Sequence, residues 1–480
     1  MSESDTLNSV DDTGIARLDR LFSLQKQHLK ENPYPVLEQR LAWLKDLEKM
    51  VVAWRAPFAE ALISDFGSHS KIATDLYETG AVLGRSRFFR RQLQDWLAPR
   101  PVSLHPKVHG SSTAETRAVP MGVVGNISPW NFPVECALIM AVDMLAAGNR
   151  IILKPARQAP STAQVISAAI GEYFEESVFA AVTGDSDLTE AFPHKPWDHL
   201  TYTGNPEVGK IIMRAAAENL TPVTLELGGK NPTVFTKSGI EDNLIRRFLE
   251  SRILKGGQVC TSPDYVLVPR SHRDEWLQRA QQLWTEMYPA YVGHADATGA
   301  INQSHYDRVM NYVEEARSEG VTVVSLNGDS PSTDDRQIPM YVIVEPNAEL
   351  ACMREEIFGP VSALLCYDDI DEAINNINDG PSPLACYVAT HNAEIAQRFI
   401  QQVRSGGIAI NDFGTQAGHP GIPFGGFGNS GMGCHSGHEG FLNYSHTKGV
   451  FHGAQDSAVV SSMRMPYGNS AEQLVNSIFG

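Results

Sequence analysis

With 480 residues, 42% of them hydrophobic, the chain exceeds what one hydrophobic core holds and calls for two or three domains. Its 39 Lys and Arg against 56 Asp and Glu give a formal charge of −17 with no separate basic patch, which argues against nucleic acid or an anionic membrane as a partner. The six cysteines, at 136, 260, 352, 366, 386 and 434, show neither a disulfide framework nor metal-ligand spacing, and they fit a reducing cytoplasm.

The N-terminal MSESDTLNSVDD is polar and acidic, unlike a secretory leader. From about 11 to 97, LDRLFSLQKQHL and LEQRLAWLKDLEKMVVAW space apolar residues three and four apart, which predicts a helical lead-in. RPVSLHPKVHGSSTAETRAVP follows, and its Pro, Ser, Thr and Val content predicts short extended segments or a projecting hairpin. From Met121 short apolar runs alternate with helices: GVVGNIS, PVECALIMAVDMLAAG, RIILKP, TAQVISAAIGEYF, FAAVTG, HLTYTG and VTLELGG. The most apolar stretch, Val134 to Leu153, carries Glu135, Asp143 and Arg150, so it reads as a buried helix and strand, not a bilayer span. Such alternation predicts a parallel sheet covered by crossover helices, and a second alternation from Asn231 to Gly414 predicts another. The Gly-rich GIPFGGFGNSGMG near 421–433 reads as a loop.

Several residues in this frame carry chemistry. TYTGNPEVGKIIM ends a strand at Gly204, caps a helix with Asn205 and starts it with Pro206, leaving free N–H groups suited to a phosphate. Any strand-to-helix turn looks similar, and there is no G-x-G-x-x-G. Lys154 stands at the carboxyl end of a strand, where it can donate to ribose hydroxyls or simply be solvated. Asn131, in SPWNFP, precedes a helix and is either a cap or an amide donor to an oxyanion. Glu226 lies between apolar residues before Gly-Gly, either turned to solvent or desolvated into a general base. KGGQVCTSPD raises the same choice for Cys260, since most unpaired cysteines are inert core residues.

SPWNFP, LKPA, TYTGN, LELGGKNP, GGQVCTSPDYVLVP, EEIFGPV and PFGGFGNSGMG occur in the order found in the NAD(P)-dependent aldehyde dehydrogenases. The sequence resembles their class 3 branch, and within it the bacterial coniferyl aldehyde dehydrogenases, from about residue 15 to the end. The resemblance implies an α/β fold with a Rossmann-like cofactor domain (11–104 and 121–225) and an α/β catalytic domain (226–414). It further implies a small β oligomerisation arm (105–120 and 440–465), and a C-terminal loop and tail (415–439 and 466–480). It makes Cys260 the nucleophile that attacks the aldehyde, and the Asn131 amide with the Cys260 N–H the oxyanion donors. Hydride then passes to the nicotinamide, and Glu226 activates the water that hydrolyses the thioester. Lys154 is implied on the adenosine ribose, the turn at Gly204, Asn205 and Val208 at the pyrophosphate, and Glu356, Phe358 and Gly228 at the nicotinamide side. Ser128, Trp130 and Gly184 complete the implied cofactor set. No metal is implied, and the expected partners are an aldehyde, aromatic or medium-chain aliphatic, and a second copy of the chain in a homodimer.

Two departures matter. After LKP many relatives carry Ser or Thr and then Glu, whereas this chain has Ala156 and Arg157. A guanidinium in place of an acceptor carboxylate favours a 2′-phosphate, so NADP is expected beside NAD unless Arg157 points to solvent. GTQAGHPGIPFGG also differs from the usual loop at the substrate mouth, and His419, His435 and His438 around it read as structural or solvent-facing. The remaining five cysteines read as inert. The alternatives are a semialdehyde or coenzyme-A-acylating dehydrogenase of the same fold, which Glu226 argues against for acylation, or a non-catalytic protein on this scaffold.

Overall fold

The computed structural model describes residues 14–479; the expected start of the cofactor domain at 11–13 and the final residue, 480, lie outside that range. The helical lead-in consists of Gly14–Glu31, Leu37–Ala53, Arg55–Phe66 and Gly80–Leu97, with the first break falling at Pro33 and Pro35. A wide helical turn at Thr74–Thr79 precedes the last of them. It brings the Asp75 carbonyl oxygen within 2.4 Å of where a Cβ on residue 80 would stand, so glycine is required at Gly80. These helices bury Leu44, Leu47, Phe58, Leu62, Phe89 and Leu93 in one core with the apolar helix Glu135–Ala147. No helix among the described residues is long and apolar enough to cross a membrane.

The strands form three sheets. β1 (Arg100–Val102) pairs antiparallel with β2 (Thr113–Pro120) in the smallest. β3 (Val123–Ile127), β4 (Arg150–Lys154), β5 (Phe179–Ala181), β6 (His199–Gly204) and β7 (Val223–Leu227) form a parallel sheet in the order β7-β6-β3-β4-β5. β8 (Asn231–Phe235), β9 (Pro263–Pro269), β10 (Val323–Ser325), β11 (Tyr341–Val344), β12 (Val361–Tyr367), β13 (Ala385–Ala389) and β14 (Gly407–Ile410) form the third, in the order β10-β11-β12-β9-β8-β13-β14. Only β10 is antiparallel there. The chain then returns: β15 (Gly431–Met432) adds antiparallel to β7, and β16 (Ser445–His452) pairs with β2.

The two parallel sheets with crossover helices are the expected α/β fold. Its divisions differ in detail from the sequence-based boundaries. A division at 225/226 would cut β7, which continues to Leu227 because the turn to β8 waits for Gly228 and Gly229. Arg100–Val102, assigned to the cofactor side, instead extends the small sheet, and the 105–120 segment contains a helical turn at Pro106–His109. The expected loop at 415–439 contributes β15, which two residues of backbone pairing create without any apolar pattern to announce it. Gly431 has φ 142°, and a Cβ there would stand 2.1 Å from the Leu225 carbonyl oxygen.

Candidate active site

A cleft of about 1650 Å³ is lined from both parallel sheets. At one end lies the carboxyl edge of the first. Lys154 closes β4 there, 4% exposed, its carbonyl accepting from the Ser128 N–H at 3.2 Å but its ammonium without a hydrogen bond or ion pair to any described residue. Burial, and then Arg157, push its ammonium down to about 8. Gly204 closes β6, where a Cβ would meet the Tyr202 hydroxyl at 2.2 Å. Asn205 caps the helix Pro206–Ala217 by accepting from the Val208 N–H at 2.9 Å, as the spacing predicted. The Ser128 hydroxyl is buried without a partner on the cleft wall. Trp130 meets Phe358 edge-on at 5.5 Å and lies 4.6 Å from the His305 ring.

Phe358 holds φ 50°, a backbone state that an aromatic residue adopts only when its surroundings fix it. Close by, the Glu356 carboxylate accepts from the Gly229 N–H, and burial first, then Asp264, push it up to about 8. A Cβ on Gly228 would stand 2.0 Å from Glu356 Oε2, so that strip must be bare backbone. An unpaired buried cation, an unsatisfied hydroxyl, a helix N-terminus and a glycine floor together fit an extended, anionic dinucleotide. Gly184 does not join them: it is exposed beyond β5, packed beside Leu188, and off the cleft wall because the chain there turns outward into the helix Ser186–Ala191. Arg157 lines the cleft exposed and without a partner, so its direction is set by solvent or ligand and by no protein group.

At the other end, KGGQVC turns sharply. Lys255, Gly256 and Gly257 all have positive φ, and a Cβ on Gly257 would stand 2.4 Å from the Gly359 carbonyl carbon. Lys255 tolerates this backbone because its buried ammonium pairs with Glu78 and lies 4.5 Å from the Phe132 ring centroid. Glu78 also accepts from the Val134 and Glu135 N–H groups at 3.1 and 2.8 Å. One carboxylate thus ties the loop before Cys260 to the helix start after Asn131. Asn131 Nδ2 donates to the Gln258 carbonyl at 3.1 Å, and Asn231 Nδ2 donates to the Cys260 carbonyl at 2.8 Å. Tyr387 donates to the Thr261 carbonyl at 2.5 Å, which holds the loop from the far side. Burial pushes the half-buried Cys260 thiol up, with the Glu356, Glu135 and Glu226 carboxylates adding to the effect.

Glu226 lies in β7, 3% exposed, and neither carboxylate oxygen has a partner. Burial pushes its carboxyl well above the usual range, and the Arg85 guanidinium pulls the other way. Arg85 was not anticipated. It is 1% exposed, donates from Nη1 to His435 Nδ1 at 2.7 Å, and lies 3.4 Å from Asp143. Asp143 accepts from the Ser436 N–H at 2.6 Å, and burial pushes it up to about 6. His435, expected to be structural or solvent-facing, is buried on the cleft wall and held neutral by burial and by Arg85. Cys136, expected to be inert core, also lines the cleft. The readable signal for Arg85 was its place on the stripe Val82, Arg85, Ser86, Phe89, Leu93, an arginine on a buried helix face. No cluster of metal-ligating side chains occurs among the described residues.

Known proteins resemble this chain in sequence and in fold. The profile of the aldehyde dehydrogenase family matches residues 4–450. A probable coniferyl aldehyde dehydrogenase of Caulobacter vibrioides is 36% identical over 470 residues, 96% of each chain. The mouse protein named aldehyde dehydrogenase, dimeric NADP-preferring, is 33% identical over 91% of this chain and 92% of its own. Among solved structures, the substrate-bound state of Staphylococcus aureus AldH superposes with a TM-score of 0.88 at 28% identity, covering 96% of this chain and 99% of that one.

Proposed function

The chain belongs to the aldehyde dehydrogenase family, an enzyme that oxidises aldehydes, and from that premise we propose that it converts an aromatic or medium-chain aliphatic aldehyde to its acid by way of Cys260 and Glu226. The observation that carries the reading is one cleft holding the Cys260 thiol, the unpartnered Glu226 carboxylate and the dinucleotide-shaped end. The Caulobacter relative's name is what favours a coniferyl-type aromatic substrate.

When bound, the nicotinamide supplies the hydride acceptor. The chain's own residues do the rest. As the thiolate that each turnover regenerates, Cys260 Sγ forms a bond to the aldehyde carbonyl carbon while the C=O π bond breaks, and the oxygen takes the negative charge. The second Asn131 amide hydrogen, left over from the bond to Gln258, and the Cys260 N–H stabilise that oxyanion. Loss of hydride leaves a thioester on Cys260. Glu226 then accepts a proton from water, the hydroxide oxygen bonds the thioester carbon, and the C–S bond breaks with Sγ leaving as thiolate. Its unpartnered oxygens favour this hydrolysis over transfer to coenzyme A.

Lys154, Ser128, Trp130, Asn205, Val208, Gly204, Gly228, Glu356 and Phe358 are the residues proposed to hold NAD or NADP. The sheet of β1, β2 and β16 is proposed as the arm of a homodimer, and a reducing cytoplasm as the compartment for six free thiols.

The test is reduced nicotinamide formation from benzaldehyde, coniferyl aldehyde and hexanal, with each cofactor. Turnover is expected in the native enzyme and is expected to vanish in Cys260→Ser. Turnover persisting in that variant would rule out the nucleophile.

A further inference from the structure

Two buried groups of opposite charge on the same cleft wall are left without partners. Arg85 spends Nη1 on His435 and Asp143, while Nε and Nη2 have none. Those two nitrogens are one edge of the planar guanidinium, the side-on fork that fits a carboxylate. Glu226 presents two unsatisfied oxygens, and both residues line the cleft. Orphaned donors and acceptors are rare in protein interiors and mark unfinished chemistry.

We propose that Arg85 is the positioning residue for the catalytic base, its free Nε/Nη2 edge being the seat on which the Glu226 carboxylate docks. The proposal rests on the reading of Glu226 as the base of thioester hydrolysis. Docking holds the carboxylate ionised inside the protein until it takes its proton from water. His435 and Asp143 fix the guanidinium from its other side, Asp143 being itself held by the Ser436 N–H.

The surroundings leave this task to Arg85. Glu226 is faced by Cys260 from the loop before β9, and by Cys434 and Tyr444 from the segment after β15. Asp143 stands behind Arg85 on the helix Glu135–Ala147, and His435 is neutral. Each of these is neutral or acidic, and Arg85 is the cation among them. Burial pushes the Glu226 carboxyl toward its protonated form, which cannot accept a proton from water, and Arg85 pulls the other way.

The experiment follows acid product by rapid quench after the burst of reduced cofactor, across pH, with the burst amplitude normalising for competent sites. In Arg85→Met the acid limb of the deacylation rate is expected to move up by about one pH unit or more, a loss of about tenfold below it, with recovery at high pH. Arg85→Lys is expected to restore much of the limb. Arg85→Met/Asp143→Asn removes both buried charges together and supplies a folded protein should the single variant be unstable.

An acid limb unmoved in both the single and the double variant would overturn the proposal. So would a raised aldehyde KM with the limb unmoved, because the edge would then serve the substrate. A burst that survives Cys260→Ser, or an acid limb that survives Glu226→Gln, would instead bring down the underlying reading of the site.

Discussion

Asn131 is half spent: one amide hydrogen goes to the Gln258 carbonyl and the other is left for chemistry. Asn131→Ala therefore loses the proposed oxyanion donor and a brace on the cysteine loop together. We expect kcat to fall by about 10²–10³, the cost seen when one such donor is removed. Arg157 makes a cleaner experiment because nothing in the protein holds it. Arg157→Glu is expected to lower the NADP-over-NAD ratio of kcat/KM at least about tenfold with little change in stability, as loss of a charge-assisted contact predicts; an unchanged ratio would remove Arg157 from cofactor choice. That Cys260, Glu226 and Asn131 would share one cleft was legible in the sequence, because each sits in a short motif whose order is informative. Arg85 and His435 were not, because their meaning is their contact across 350 residues of chain, and either alone reads as an ordinary buried or surface residue.

Among the elements, the helix Pro206–Ala217 depends on Asn205 for its start, and its N-terminal turn lines the end of the cleft proposed for the cofactor. Asn205→Ala should cost about 1 kcal/mol of stability and weaken cofactor binding, whereas Asn205→Ser should retain both; differential scanning and cofactor titration would separate the two effects. Gly228 is a sharper case. A methyl there would collide with the Glu356 carboxylate, so Gly228→Ala is expected to raise the cofactor KM strongly and to lower the unfolding temperature as Glu356 is pushed off the Gly229 N–H. The long elements were readable because their apolar period is sustained, as in LEQRLAWLKDLEKMVVAW. β15 was not, since a strand of two residues in a glycine-rich run is defined by its partner's backbone and by nothing in its own side chains. The edges of the sheets shifted for the same reason: pairing of Arg100–Val102 with β2 is a tertiary event that no local pattern records.

Taken whole, the molecule is two parallel sheets facing one cleft, with a three-stranded sheet set apart. That third sheet has β2 at its centre, flanked by β1 and by β16 from near the C-terminus. If this sheet is the dimer arm, truncation before Ser445 strips one edge of it, and sedimentation is expected to show monomer for the truncated chain and dimer for the untruncated one; a dimer that persists would place the contact elsewhere.

The pairing of β15 with β7 sets Gly431 beside Glu226, and the same late segment brings His435 to Arg85 across 350 residues of chain. The surroundings of Glu226 are thus completed only when parts far apart in sequence meet, a closure whose entropy must be met before any contact at the site offsets it and which therefore belongs to the slow steps of folding.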